Sequence, residues 1–276
     1  MSNRKLKDNL TKILIYAASL LTVGVLAWIL IYITINGIGE ISLEFLTSAP
    51  EGESGGGILP IIINTLYIIL LTIVISTPIG VFAAIYLVEY AKPGKIVRII
   101  RFATESLAGI PSIIFGLFGY IFFVTVLNLG WSILSGALTL SIMVLPTMVR
   151  TTEESLKAVP DAYREGSLGL GASKLRTIRK VVLPSAIPGI VTGIILSIGR
   201  IVGESAAVYF TAGMVSRLAK GFLDSGRTLA VHMYLLAKEG ISFEKAFATA
   251  FVLVVIILLI NFSANKIGAS LDKTKV

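Results

Sequence analysis

The chain has 276 residues, 55% of them hydrophobic and only 14% charged, with a mean hydropathy of +0.89. Soluble domains carry about 25% charged residues, so this composition excludes an ordinary soluble enzyme and predicts an all-α membrane protein with several spans. Cysteine is absent and histidine occurs once, which excludes disulfides, thiol chemistry and Cys- or His-rich metal sites; no cofactor and no metal is expected.

In chain order, the basic tail 1–12 precedes an apolar run from Ile13 to Ile35. That run is about twice the roughly 7–15 residues of a signal-peptide core, and reads as a retained first span. The loop 36–57 holds Glu40, Glu44, Glu51 and Glu53, no Lys or Arg, and the stretch EGESGGG, which predicts a flexible connection. Span two is 58–88, the loop 89–101 follows, and span three is 102–127. Within span three, Gly109 and Pro111 predict a kink, and Glu105 stands at i+4 from Arg101, a spacing that predicts an ion pair. Span four is 131–149, a long polar segment covers 150–185, and span five is 186–214. The loop 215–245 is long enough for a short helix around RTLAVHMYLLAKEG, with His232 as an ordinary loop residue; span six, 246–264, and the tail 265–276 complete the chain.

Lys and Arg set the orientation. The tail 1–12 carries four, 89–101 four, 150–185 seven and the C-terminal tail three, 18 on one side; the 215–245 loop carries five. The richer side is cytoplasmic, so both termini are expected inside. The formal charge of +8 then reports cytoplasmic loops and lipid contact, and no nucleic-acid partner is expected.

The segment 150–185 predicts two short helices. Pro160 suits a helix start, and Asp161 and Glu165 suit its positive end. Gly169 and Gly171 interrupt it. Ser173 then caps a second helix, which runs to about Val182 with Leu175, Ile178 and Val182 on one face, and Pro184 ends it. Such a glycine-hinged pair fits a partner's groove, or lies on the membrane surface.

Span five contains GRIVGE. Arg200 and Glu204 stand at i and i+4 inside an apolar run, about 20 Å from its cytoplasmic end. An arginine at a helix centre costs about 2.5–3.5 kcal/mol on insertion scales. The pair recovers part of this, but an apolar pair would stabilise a bundle as well, so the pattern points to function. A guanidinium binds an oxyanion through two parallel hydrogen bonds and keeps its charge; Glu204 is placed to orient it or to share a proton with the oxyanion. Gly189 with Gly193, and Gly199 with Gly203, predict close helix packing. No GxxxxGK[ST] loop occurs, so ATP hydrolysis is not expected of this chain.

The cytoplasmic segment resembles the signature loop of binding-protein-dependent ABC-transporter permeases: Glu-Ala-Ala, three residues, Gly, nine residues, Ile, one residue, Leu-Pro. Here Glu165-Gly166-Ser167, Gly171, Val181 and Leu183-Pro184 keep every spacing. The stretches GIPSIIFGLFGY, VRTTEESLKAVPDAYREGSLGLG, GIVTGIILSIGRIVGES and EGESGGGI are similar to phosphate ABC-transporter permeases of the A-subunit type. The resemblance implies a single permease domain over 58–264 in the inner (plasma) membrane. Its signature loop, with Asp161, Glu165, Gly171, Leu175, Leu183 and Pro184, would couple to an ATP-binding subunit dimer. Arg200 and Glu204 would lie on the translocation path. A second, homologous C-type permease chain and an extracytoplasmic phosphate-binding protein are the other implied partners. A permease for sulfate or molybdate, or an ion-coupled secondary transporter, are the competing readings. A membrane enzyme is disfavoured because no catalytic cluster of His, Asp or Cys is present.

Overall fold

The computed structural model describes residues 2–52, 55–92 and 94–271. Twelve α-helices occur among them: α1 (Ser2–Gly37), α2 (Leu43–Thr47), α3 (Leu59–Ile85), α4 (Lys95–Ala108), α5 (Ser112–Gly119), α6 (Ile133–Lys157), α7 (Asp161–Gly169), α8 (Lys174–Thr177), α9 (Leu183–Val202), α10 (Ala206–Thr211), α11 (Leu229–Lys238) and α12 (Phe243–Leu271). One small hairpin pairs Pro50 with Gly56 and Glu51 with Gly55. Glu53 and Ser54, part of the stretch expected to be flexible, lie outside the described residues.

Among the described residues, five helical segments are long and apolar enough to cross a membrane: 8–40, 59–90, 133–157, 174–202 and 243–266. A sixth crossing requires α4 and α5 to be taken together, and these meet at 103°. The expected kink in span three is therefore a break. Pro111 has no N–H to donate and disfavours helical backbone at Ile110, and Gly109 caps the end of α4.

The bundle is organised around α3 and α6. Lipid tails are as apolar as leucine, so helices in a bilayer associate through close packing and interhelical polar contacts. The buried face of α3 accordingly carries Asn64, Thr65, Thr72, Ser76 and Gly80 among its isoleucines. Ser141 Oγ on α6 donates to the Thr72 carbonyl at 3.3 Å, and Thr72 Oγ1 donates to the Ala137 carbonyl at 3.5 Å. A side chain at Gly80 would run into Met148 of α6; one at Gly189 or Gly193 of α9 would meet Ser155 or Thr151. The first glycine pair of span five is thus a packing device. The second is not: nothing stands within 4 Å of a Cβ at Gly199, and at Gly203 only the carbonyl of Gly199 does.

Both ends of α3 hold other parts of the chain. At its start, Asn64 accepts from the Ala219 N–H and donates to the Arg217 carbonyl, each at 3.0 Å, while Thr65 Oγ1 accepts from the Leu229 N–H at 2.9 Å. These bonds hold 217–229 against the bundle. The short helix expected in this loop is α11, capped by Thr228, and it is buried: Leu229, Ala230, Val231 and His232 are at most 6% exposed. His232 is therefore a core residue, not an ordinary loop residue.

At the far end, α3 continues through a wide π turn over Tyr86–Tyr90, where Glu89 meets Arg164 of α7. The guanidinium donates to Glu89 Oε1 at 3.0 Å and 3.1 Å, to the carbonyls of Leu156 and Val159 at 2.7 Å each, and to Asp161 at 3.1 Å. The Arg164 side chain is 17% exposed and that of Glu89 9%. Ser167 Oγ and Thr177 Oγ1, 2.9 Å apart, join α7 to α8, and the Lys174 ammonium lies 5.0 Å from the Tyr90 ring.

Between α7 and α8 the chain reverses at Gly171, whose φ is +82°. The Ala172 N–H reaches the Ser167 carbonyl at 3.2 Å and the Gly171 N–H reaches that of Leu168 at 2.9 Å, the paired bonds of a Schellman cap. The helix expected to end at Pro184 does not end there. It runs from α8 through a π turn over Ile178–Val182 into α9, forming one segment over 174–202. The wide turn just before Pro184 accommodates a residue that cannot donate to a carbonyl behind it. The expected shared face is only partly kept: Ile178 and Val182 are buried at 4% and 0%, while Leu175, in α8 before the turn, is 67% exposed.

Two glycines only five positions apart are expected to respond oppositely to alanine. Gly171→Ala forces a Cβ into left-handed backbone and should lower stability by about 1–2 kcal/mol. Gly166→Ala, inside α7 with nothing within 4 Å of its Cβ, should raise it by up to about 1 kcal/mol. Thermal unfolding of the purified chain reads both. Separately, Arg164→Ala strands the enclosed Glu89 carboxylate and should cost about 3–5 kcal/mol, with faster proteolysis between 158 and 173; unchanged cleavage would contradict the clamp.

Candidate functional site

Span five, expected as one helix through Met214, breaks inside the apolar run. α9 stops at Val202, Gly203 caps it, and a separate six-residue helix, α10, begins at Ala206. Arg200 lies in the last turn of α9, where its charge meets the negative end of the helix dipole. Glu204 lies in the break. Its Oε1 accepts the Ala207 N–H at 3.1 Å, capping α10, and its own N–H bonds to the Ile201 carbonyl at 3.1 Å. The expected i,i+4 ion pair is absent, because the helical turn that would align the two side chains is interrupted between them. Arg200 is half-buried and has no hydrogen bond or ion pair among the described residues.

Gly199 and Gly203, one position before Arg200 and three after it, meet no other side chain. Following α10, Tyr120, Trp131, Tyr209, Phe210 and Met214 line an apolar cavity of about 700 Å³.

Towards the α7 end, a second cavity of about 400 Å³ is walled by charge. Glu153 Oε1 accepts from Arg101 Nη2 and from Lys157 Nζ, both at 2.6 Å, and Arg150 Nε meets Glu154 Oε1 at 3.1 Å. Arg101 thus reaches across from α4 to α6 and leaves the expected partner, Glu105, on the cavity wall. The Glu153 side chain is 11% exposed. A carboxylate with so little water gains more from two cations than the exposed Glu105 does.

The residues expected to couple to a partner are mostly exposed, with Leu183 as the exception. No residue of α7 is buried. Asp161 begins it and Glu165 is exposed on it. Tyr163, Leu168, Leu170 and Leu175 are 50%, 48%, 92% and 67% exposed. Gly171 supplies the reversal, Leu183 packs against the buried cluster of Leu156, Val159 and Val182, and Pro184 stays exposed at the start of α9. Sequence reasoning missed Arg164 and Glu89. They are 75 positions apart, and the only local signal was Arg164 at i+3 from Asp161.

Residues 76–274 match the family described as binding-protein-dependent transport system inner membrane component. The chain belongs to this family. The probable ABC transporter permease protein YqgI of Bacillus subtilis is 35% identical over 98% of both chains. The phosphate transport system permease protein PstA of Pasteurella multocida is 35% identical over 95% of this chain and 94% of its own. Among solved structures, the membrane chain of a bacterial alginate ABC transporter, in complex with an alginate pentasaccharide-bound periplasmic protein, superposes with a TM-score of 0.71. It covers 98% of this chain and 99% of its own at 16% identity. The inward-facing MetNI methionine ABC transporter gives 0.59 over 78% of this chain and 94% of its own at 21% identity. At such identities the likeness is one of fold. As a member of this family the chain is the membrane-embedded permease component of an ABC importer, not an enzyme, and the secondary-transporter reading is not favoured.

The capping role of Glu204 is testable apart from transport. Glu204→Gln keeps an oxygen acceptor for the Ala207 N–H, whereas Glu204→Leu removes it and should cost about 0.5–2 kcal/mol, read as a lower thermal midpoint. Equal midpoints for the two variants would contradict the cap.

Proposed function

We propose that this chain is a phosphate-carrying permease subunit and that Arg200 contacts the anion in transit. The observation that carries the reading is an unpaired, half-buried guanidinium at a helix break in a permease whose relatives include several phosphate permeases. An arginine inside a membrane segment is costly unless it serves a polar path. Planar bidentate donation to an oxyanion offsets that cost and is available to no other cation of the side-chain set. In this reading Glu204 shapes the break and so positions Arg200 through the backbone.

The rest of the assembly follows the same reading. Both termini and the α7–α8 surface face the cytoplasm. That surface, with Asp161, Glu165 and Leu175, docks an ATP-binding subunit dimer. A second, homologous C-type permease chain completes the path, and an extracytoplasmic phosphate-binding protein delivers to the end that carries α11. The exposed leucines of α7 and α8 and the absence of burial along α7 support the docking surface.

Arg200→Gln should reduce phosphate uptake by the reconstituted transporter at least tenfold while leaving assembly intact. Because Arg200 has no ion-pair partner here, this single change orphans no buried carboxylate. Arg200→Lys should recover only part of the rate, since a point charge lacks the planar fork. Normal uptake by the assembled glutamine variant rules the role out. Orientation has its own test, as the chain contains no cysteine. Leu223→Cys, 62% exposed in the native structure, should react with an impermeant thiol reagent from outside, and Leu170→Cys, 92% exposed, only after the membrane is opened. The reverse pattern would invert the topology.

A further inference from the structure

At the end of the bundle opposite α7, a small cavity lies between the glycine hairpin and α11. Gly55, Gly56 and Gly57 form one wall; Arg227, His232 and Lys245 contribute to the other. Two polar atoms here are unsatisfied. His232 is 6% exposed, and its Nδ1 has no hydrogen-bond partner; Arg227 Nε is buried and also has none. The carboxylate whose field reaches Arg227 is that of Glu239, yet it makes no hydrogen bond to the guanidinium. Glu244, at the start of α12, is engaged by Ser242. Buried donors left without acceptors are costly, and more so when the donor is charged. Burial, together with Arg227 and Lys245, lowers the His232 pKa to about 3, so the imidazole is neutral.

We propose that this cavity is an oxyanion socket, in which Arg227 Nε–H and the His232 imidazole bind one oxygen of a phosphate or carboxylate. The enclosed space is about 10 Å³, room for one water-sized group. The ligand therefore inserts a single oxygen and keeps the rest of its body outside. Two sources present such an oxygen on this face: inorganic phosphate, and an acidic side chain of a docking protein. The socket is distinct from Arg200, which lies in α9, and does not depend on the role proposed for that residue.

The chain contains one histidine, so its imidazole signals in an NMR spectrum need no assignment. The full chain in nanodiscs is titrated at constant ionic strength with sodium phosphate, sodium acetate or sodium chloride. A saturable shift of the His232 resonances with phosphate but not acetate supports the socket and identifies the ion as its ligand. A shift with acetate as well supports it with an acidic side chain as the natural source. Arg227→Gln should weaken either response at least tenfold, Arg227→Lys less, and Arg200→Gln should leave it unchanged. If neither anion moves the signal beyond chloride, or if Arg227→Gln responds like the native chain while retaining its thermal midpoint, the proposal is overturned.

Discussion

In a bilayer the hydrophobic effect does not draw one helix to another, so the pair that organises this protein must associate by shape and polar contact. That pair is α3 and α6. Small and hydroxyl-bearing side chains let the two backbones approach, and the hydroxyls of Thr72 and Ser141 donate to carbonyls locally or across the seam. α9 joins the same helix through Gly189 and Gly193, against Ser155 and Thr151. Two further parts of the chain are attached to the ends of α3. Asn64 and Thr65 grip the loop that leads into α11, and Glu89 grips Arg164.

This attachment explains how an outer surface with little burial of its own remains in place. α7 has no buried residue. Its fixed point is one guanidinium that meets two carboxylates and two backbone carbonyls. Arginine suits the position because its planar, permanently charged head satisfies several acceptors at once. Arg164 ties α7 through Glu89 to the end of α3 and through the Leu156 and Val159 carbonyls to the end of α6. α8 runs directly into α9, since the helix is continuous through the π turn to Val202. Arg200 stands in the last turn of that same helix. The surface proposed to dock the ATP-binding subunits and the unpaired cation thus lie at the two ends of one continuous helical segment.

The breaks have a shared logic. Non-helical backbone at membrane depth is tolerated only where protein or a wet cavity satisfies it. At Gly203–Ser205 the Glu204 side chain provides an acceptor for α10, and at Gly109–Pro111 the chain turns through 103° beside a cavity lined by charge. The first lies where an unbroken apolar run suggests an uninterrupted helix. Hydropathy measures the affinity of a segment for lipid and is indifferent to whether its backbone remains helical.

By itself the sequence determined the class of protein, the apolar runs, the two short helices of the polar segment and the family resemblance, because each of these is written in local composition or fixed spacing. The Gly171 reversal was legible because left-handed backbone nearly requires glycine. The sequence also singled out Arg200 and Glu204, since charge inside an apolar run is costly wherever the run ends. Only the tertiary structure decided how those charges are used. It separated Arg200 from Glu204, directed Arg101 to Glu153 instead of Glu105, and carried the helix past Pro184 by a π turn. It also buried His232 between two cations and joined Arg164 to Glu89 across 75 positions. Ion-pair partners are set by which carboxylate has lost the most water, and that depends on the packing of helices far apart in the chain. Spacing along one helix reports only which partners are within reach.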